Sequence, residues 1–168
     1  SRYCSQNSFG VIVCGGMPSQ GENAATAYAS QLRLSDLNLE AEVLPPMKER
    51  RHHFKAVWSK GDVYVFGGLP DWRQNEVYQV EKYSPVTGRW DDVAVMVDYR
   101  QRVCACAFAE KIFIFGGHHY AYFSTYDDDV ERSCLEFDTE SYQIGEKAQM
   151  RVGRHNAACD VFTEKLVV

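Results

Sequence analysis

Three clusters of nitrogen-bearing side chains are the chain's best candidates for chemistry: Arg51-His52-His53, Arg100-Gln101-Arg102 and Arg154-His155-Asn156. Each lies four to six residues after a methionine (Met47, Met96 or Met150). A guanidinium captures a carboxylate through two parallel hydrogen bonds, so such clusters suit an acidic segment of a partner protein. With Lys48, Glu49 and Arg50 alongside, the set is basic on balance, in a chain of formal charge −5 with 18 Lys and Arg against 23 Asp and Glu. An arginine at the same place in three units of three also suits a structural role, bonding a carbonyl or an acid of the scaffold. The positions that vary (His52, His53, Gln101, Arg102, His155 and Asn156) are therefore the better ligand candidates. Trp72, Tyr120, Tyr122, Phe123 and Tyr126 join them as loop aromatics, because aromatic anchors carry much of the energy of protein interfaces. The same rings can instead fold down onto their own scaffold.

Other chemistries find little support. His52-His53 and His118-His119 are adjacent pairs and lack the i, i+4 spacing of a helical zinc site. Asp127-Asp128-Asp129 lacks the glycine and terminal glutamate of a calcium loop and reads as a solvated acidic turn. The sequence contains no Gly-x-Ser-x-Gly, no phosphate loop and no Cys/His constellation, so neither an enzyme nor a cofactor nor a metal is expected. Its six cysteines (Cys4, Cys14, Cys104, Cys106, Cys134, Cys159) include no Cys-x-x-Cys. Cys104 and Cys106, two apart on a predicted strand, share a face and are poorly placed to bridge each other. Buried free thiols in a reducing, cytoplasmic compartment are the expectation. No Lys/Arg run points to nucleic acid or to an anionic membrane, and no apolar run approaches the ~18–20 residues of a membrane span.

The elements that must position these residues are repeats. Val63-Tyr64-Val65-Phe66-Gly67-Gly68 recurs as Ile112-Phe113-Ile114-Phe115-Gly116-Gly117 and, earlier, as Val11-Ile12-Val13-Cys14-Gly15-Gly16. The glycine pairs recur after 52 and then 49 residues, and each of the last two lies 20 residues after a methionine. Large apolar residues (Leu34, Tyr83, Phe137) precede each methionine by 13, and Ala41, Trp90 and Ile144 precede it by six. Four apolar residues in a row signal a strand covered on both faces. The turns at Lys60-Gly61-Asp62, Ser84-Pro85-Val86-Thr87-Gly88 and Glu110-Lys111 separate such strands.

The Gly-Gly pair, Tyr83 and Trp90 seven apart, and Met-x-x-x-Arg together resemble the Kelch repeat, over essentially the whole chain. The resemblance implies an all-β fold of four-stranded antiparallel propeller blades with a period of about 50 residues. The units expected are 1–49 (divergent), 50–98 (best formed), 99–150, and the first strands of a further blade at 151–168. Closed propellers typically have about four to eight blades, so the chain is expected either to be part of a longer one or to close a ring with another copy.

In such a blade the loop between strands two and three and the loop leading to the next blade lie on one face. The Met-x-x-x-Arg segments and the long loops after Gly-Gly therefore share a surface, where binding concentrates on a rigid scaffold. The resemblance to BTB-Kelch proteins implies a non-enzymatic module that holds a partner peptide there and recognises substrates for a cullin-RING ubiquitin ligase. An actin-binding or actin-bundling cytoskeletal Kelch protein is the alternative, and a copper-oxidase propeller is remote, since its Tyr, Cys and His ligands find no place here. A BTB domain upstream would favour the first, and tandem propellers the second.

Overall fold

The computed structural model describes residues 10–17, 25–35, 38–70, 77–119, 130–162 and 165–167. They form four antiparallel sheets in chain order. The first contains β1 (Gly10–Cys14), β2 (Ala29–Ser35) and β3 (Asn38–Leu44). The second contains β4 (Lys55–Ser59), β5 (Asp62–Phe66), β6 (Gln79–Ser84) and β7 (Arg89–Val95), hydrogen-bonded in that order. The third repeats it with β8 (Cys104–Phe108), β9 (Lys111–Phe115), β10 (Cys134–Asp138) and β11 (Ile144–Lys147). A pair, β12 (Asp160–Phe162) and β13 (Lys165–Val167), begins the fourth. The first strands neighbour one another, β4 against β8 and β8 against β12, so they form the inner edge around which the sheets are arranged.

The apolar run of β5 is explained by what lies on each side of it. Val63 and Val65 pack with Ala29, Leu44 and Met47 of the first unit. Tyr64 and Phe66, on the opposite face, pack with Ile112, Ile114, Leu135 and Phe137 of the third. A strand buried on both faces gains no stability from polar alternation, so period two disappears from its sequence. In β9 the same division holds: Ile112 and Ile114 face the second unit, whereas Phe113 and Phe115 face Met150, Ala157 and Cys159. In β1, Ile12 and Cys14 pack toward the second unit, while Val11 and Val13 are 60% and 51% exposed.

The units differ in how their strands are joined. In the first unit, Leu34 pairs with Leu39 and Ala41 pairs with Leu32. Ser35 pairs directly with Asn38, whereas in the second unit Ser84 pairs with Arg89. In the third unit the first turn sits one residue earlier than predicted. Phe108 pairs with Lys111, leaving Ala109 and Glu110 as the turn, both left-handed (φ 46° and 67°). The corresponding Lys60-Gly61 turn (φ 50° and 87°) places a glycine at its second position. A non-glycine residue in this region costs roughly 1–2 kcal/mol. Replacing Ala109-Glu110 by Asn-Gly, the pair that favours such two-residue hairpins, is therefore expected to stabilise the chain by about 1–2 kcal/mol, read as a higher denaturant midpoint at unchanged slope.

Candidate functional site

The three arginines of the motif form a series of latches. The backbone of each holds the preceding unit: Gly16 N–H donates to Arg51 O at 2.9 Å, Gly68 N–H to Arg100 O at 3.1 Å and Gly117 N–H to Arg154 O at 2.8 Å. The side chain holds its own unit: Arg51 Nη1 donates to Gly67 O at 3.0 Å, and Arg100 Nη1 to Gly116 O at 3.2 Å. The glycine pair is required at this joint. Gly67 is left-handed (φ 66°), and a Cβ there would overlap the Arg100 carbonyl; Gly116 stands in the same relation to the Arg154 carbonyl.

This geometry removes two guanidiniums from the set predicted to meet a partner. Arg51 and Arg100 are 0% and 1% exposed. Arg51 Nη2 donates to Glu81 Oε1 at 2.6 Å, and Nη1 also donates to Gln79 O at 3.0 Å. Burial pushes the Arg51 pKa down, and the Glu81 carboxylate opposes the shift. Glu81 further accepts Lys48 N–H at 2.6 Å and Glu49 N–H at 3.1 Å, which fixes the loop entering the second unit. Arg100 is held by both carboxylate oxygens of Asp98 and donates to Ser133 Oγ at 2.8 Å. Arg154 occupies the same backbone station, with its side chain exposed among the described residues. The next position is buried as well: His52 bridges to Leu69 and Gln101 to His118 through paired backbone hydrogen bonds.

Two residues after each arginine the pattern changes. His53, Arg102 and Asn156 all have left-handed backbones (φ 56°, 55° and 51°). They are linked in series, Arg102 N–H donating to His53 O at 2.7 Å and Asn156 N–H to Arg102 O at 3.0 Å. Because each lies two to four residues before a first strand (Lys55, Cys104 and Asp160), the row runs beside the inner edge of the sheets. Arg102 carries backbone strain of roughly 1–2 kcal/mol in this conformation, and a left-handed residue repeated at one station directs attention to function.

The side chains of this row differ at every step. His53 and Asn156 are exposed and Arg102 is half-buried. Among the described residues no hydrogen bond or ion pair holds the Arg102 guanidinium. The Nδ1 atoms of His53 and His52 lie 2.8 Å apart, so one donates and the other accepts. Partial desolvation, and then the neighbouring Arg102 charge, lower the His53 pKa. His155 meets His118 edge-on at 5.7 Å between ring centroids and lies 3.2 Å from Asn156 Nδ2. Beside it opens a cavity of about 580 Å³ lined by Val130, Arg132, Arg154, His155 and Ala157 among others. Trp72, Tyr120 and Tyr122, with Phe123 and Tyr126, lie outside the described residues.

Glu81, Asp98 and Ser133 escaped the sequence reading. For Glu81 a signal existed. Val80 and Tyr83, three apart, are both buried, which strict alternation forbids. The register shift between Val80 and Glu81 resolves the conflict and leaves Glu81 fully buried. Bulges re-aim side chains in this way.

With the geometry established, comparison with known proteins places the fold. Residues 50–96 match the Kelch motif model. Kelch domain-containing protein 3 of Homo sapiens and that of Bos taurus are each 28% identical over 97 residues, which is 54% of this chain and 25% of each relative. The match thus spans about a quarter of the length of these relatives. The solved structure of YjhT superposes with a TM-score of 0.70 at 16% identity, covering 87% of this chain and 52% of that one. These matches reach the level of the Kelch motif and the propeller, and the BTB-Kelch class is finer than they resolve. Residues 50–96 match the Kelch motif, and the chain that carries them is an all-β propeller segment of antiparallel sheets.

Proposed function

We propose that this propeller segment is a non-enzymatic protein-binding module whose loop face holds an acidic peptide segment of a partner. The observation that carries the proposal is the left-handed row His53, Arg102 and Asn156, in which a guanidinium without a partner among the described residues sits on a backbone fixed by inter-sheet hydrogen bonds. The backbone of Arg102 is fixed before binding, and its guanidinium can meet a carboxylate through two bonds. The role of such a module as the substrate-recognition part of a cytoplasmic cullin-RING ubiquitin ligase adaptor rests on the resemblance to BTB-Kelch proteins.

The test uses an array of short peptides in which Asp and Glu alternate against Asn and Gln at the same positions. Binding is expected to follow the acidic members. Reversing charge at Arg102 and His155 (Arg102→Glu with His155→Glu) is expected to weaken it by about 10–100-fold, the worth of a charge-assisted hydrogen bond of roughly 1.5–3 kcal/mol, with the melting temperature held. Unfolding of both single variants would make the rim structural. Equal binding of acidic and neutral peptides would reject the acidic-peptide reading, and pelleting with filamentous actin would favour the cytoskeletal one.

A further inference from the structure

Four of the six cysteines meet at one interface. Cys104 and Cys134 both lie opposite Phe115, on β8 and β10, the two neighbours of β9. Cys106 follows two residues along β8 on the same face. Cys159, just before β12, packs onto this group from the next unit. The repeat supplies an independent check. Cys106 stands six residues after Arg100, as Val57 stands after Arg51, and Cys159 stands five after Arg154, as Ala105 stands after Arg100. Val57 and Ala105 belong to one core cluster across the joint between the second and third units. The same two stations, one joint further on, therefore hold a pair of thiols. No group of three Cys, His, Asp or Glu among the described residues is arranged to hold a metal ion, so the pair is a candidate for thiol chemistry.

We propose that Cys106 and Cys159 are a redox-active pair that an oxidant of the hydrogen peroxide class converts to a disulfide, covalently joining the third unit to the fourth. Cys106 is the attacking thiolate: it is less buried than Cys104, which is 1% exposed. Its sulfur attacks a peroxide oxygen, the O–O bond breaks, and the departing hydroxide takes up a proton, leaving a sulfenic acid. The Cys159 sulfur then attacks that sulfur, the S–O bond breaks and a second water departs. Two thiols lose two electrons and two protons, and one peroxide is reduced to two waters. Burial raises the pKa of both groups, so the reaction is slow at neutral pH and accelerates by about tenfold per pH unit while the thiolate fraction grows. The bond constrains the unfolded chain and is expected to raise the melting temperature until reductant is added.

The experiment is peptide mapping of the whole chain after peroxide treatment, alkylation in denaturant and trypsin digestion without reductant. The expected product links residues 103–111 to residues 155–165, with fragmentation placing the bond between Cys106 and Cys159. It should be lost in Cys106→Ser and kept in Cys134→Ser. If Cys106→Ser does not fold, the wild-type map still decides. Recovery of residues 155–165 with Cys159 alkylated, or linked to Cys104 or Cys134 instead, overturns the proposal.

Discussion

Arg51→Ala is expected to destabilise the chain by about 3–5 kcal/mol, the range for removing one partner of a buried ion pair. The Glu81 carboxylate left behind is 0% exposed. It would keep the Lys48 and Glu49 amides but lose its only cationic partner among the described residues. The Gly67 and Gln79 carbonyls would lose their donor at the same time. At roughly 2–4 °C per kcal/mol for a chain of this size, the drop is large enough to read from a melt. Removing both ends, as Arg51→Met with Glu81→Leu, is expected to recover part of the loss, because no unpaired buried charge remains, while the Gly67 and Gln79 carbonyls and the Lys48 and Glu49 amides still lack these partners. A double-mutant cycle with a small coupling would show that the pair does not hold the joint.

Gly67→Ala is expected to be as damaging by a different route. The residue is left-handed, and its new methyl would occupy the position of the Arg100 carbonyl oxygen. The second and third units would have to separate locally, weakening the 3.1 Å bond from Gly68 N–H to Arg100 O. Backbone strain of roughly 1–2 kcal/mol, overpacking of about 1–3 kcal/mol and the weakened bond combine to about 3–6 kcal/mol. Gly88→Ala is the control. That glycine has the same conformation (φ 65°) but nothing within 4 Å of the added carbon, so only the backbone cost of roughly 1–2 kcal/mol applies. Equal effects at the two positions would reduce the glycine pair to a matter of conformational freedom.

These contrasts indicate what could be read from the sequence. The repeat register was legible because β5 and β9 are covered on both faces, and such coverage writes an apolar run followed by the glycines of the joint. The third-unit turn departed from expectation because turn position follows backbone conformation: Ala109 and Glu110 adopt φ values that their residue types do not advertise. The motif arginines were legible as a set but not in their roles. Nothing in Met-x-x-x-Arg distinguishes a side chain aimed at a ligand from one aimed at its own glycine carbonyl, and that distinction depends on Glu81 and Asp98, 30 residues after Arg51 and two before Arg100 respectively. The position two beyond each arginine varies among histidine, arginine and asparagine, and its unity lies in φ rather than in residue type.

The central claim is this division of labour within one loop: the motif arginine holds the sheets together, and the residue two positions later meets the partner. The most direct measurement compares Arg100→Ala with Arg102→Ala in the same chain, recording thermal melts and binding to the acidic peptide array for each. The account predicts that Arg100→Ala lowers the melting temperature by several degrees, whereas Arg102→Ala leaves it in place and weakens binding to the acidic peptides. A stable Arg100→Ala chain that has lost binding, beside an Arg102→Ala chain that melts early, would contradict it.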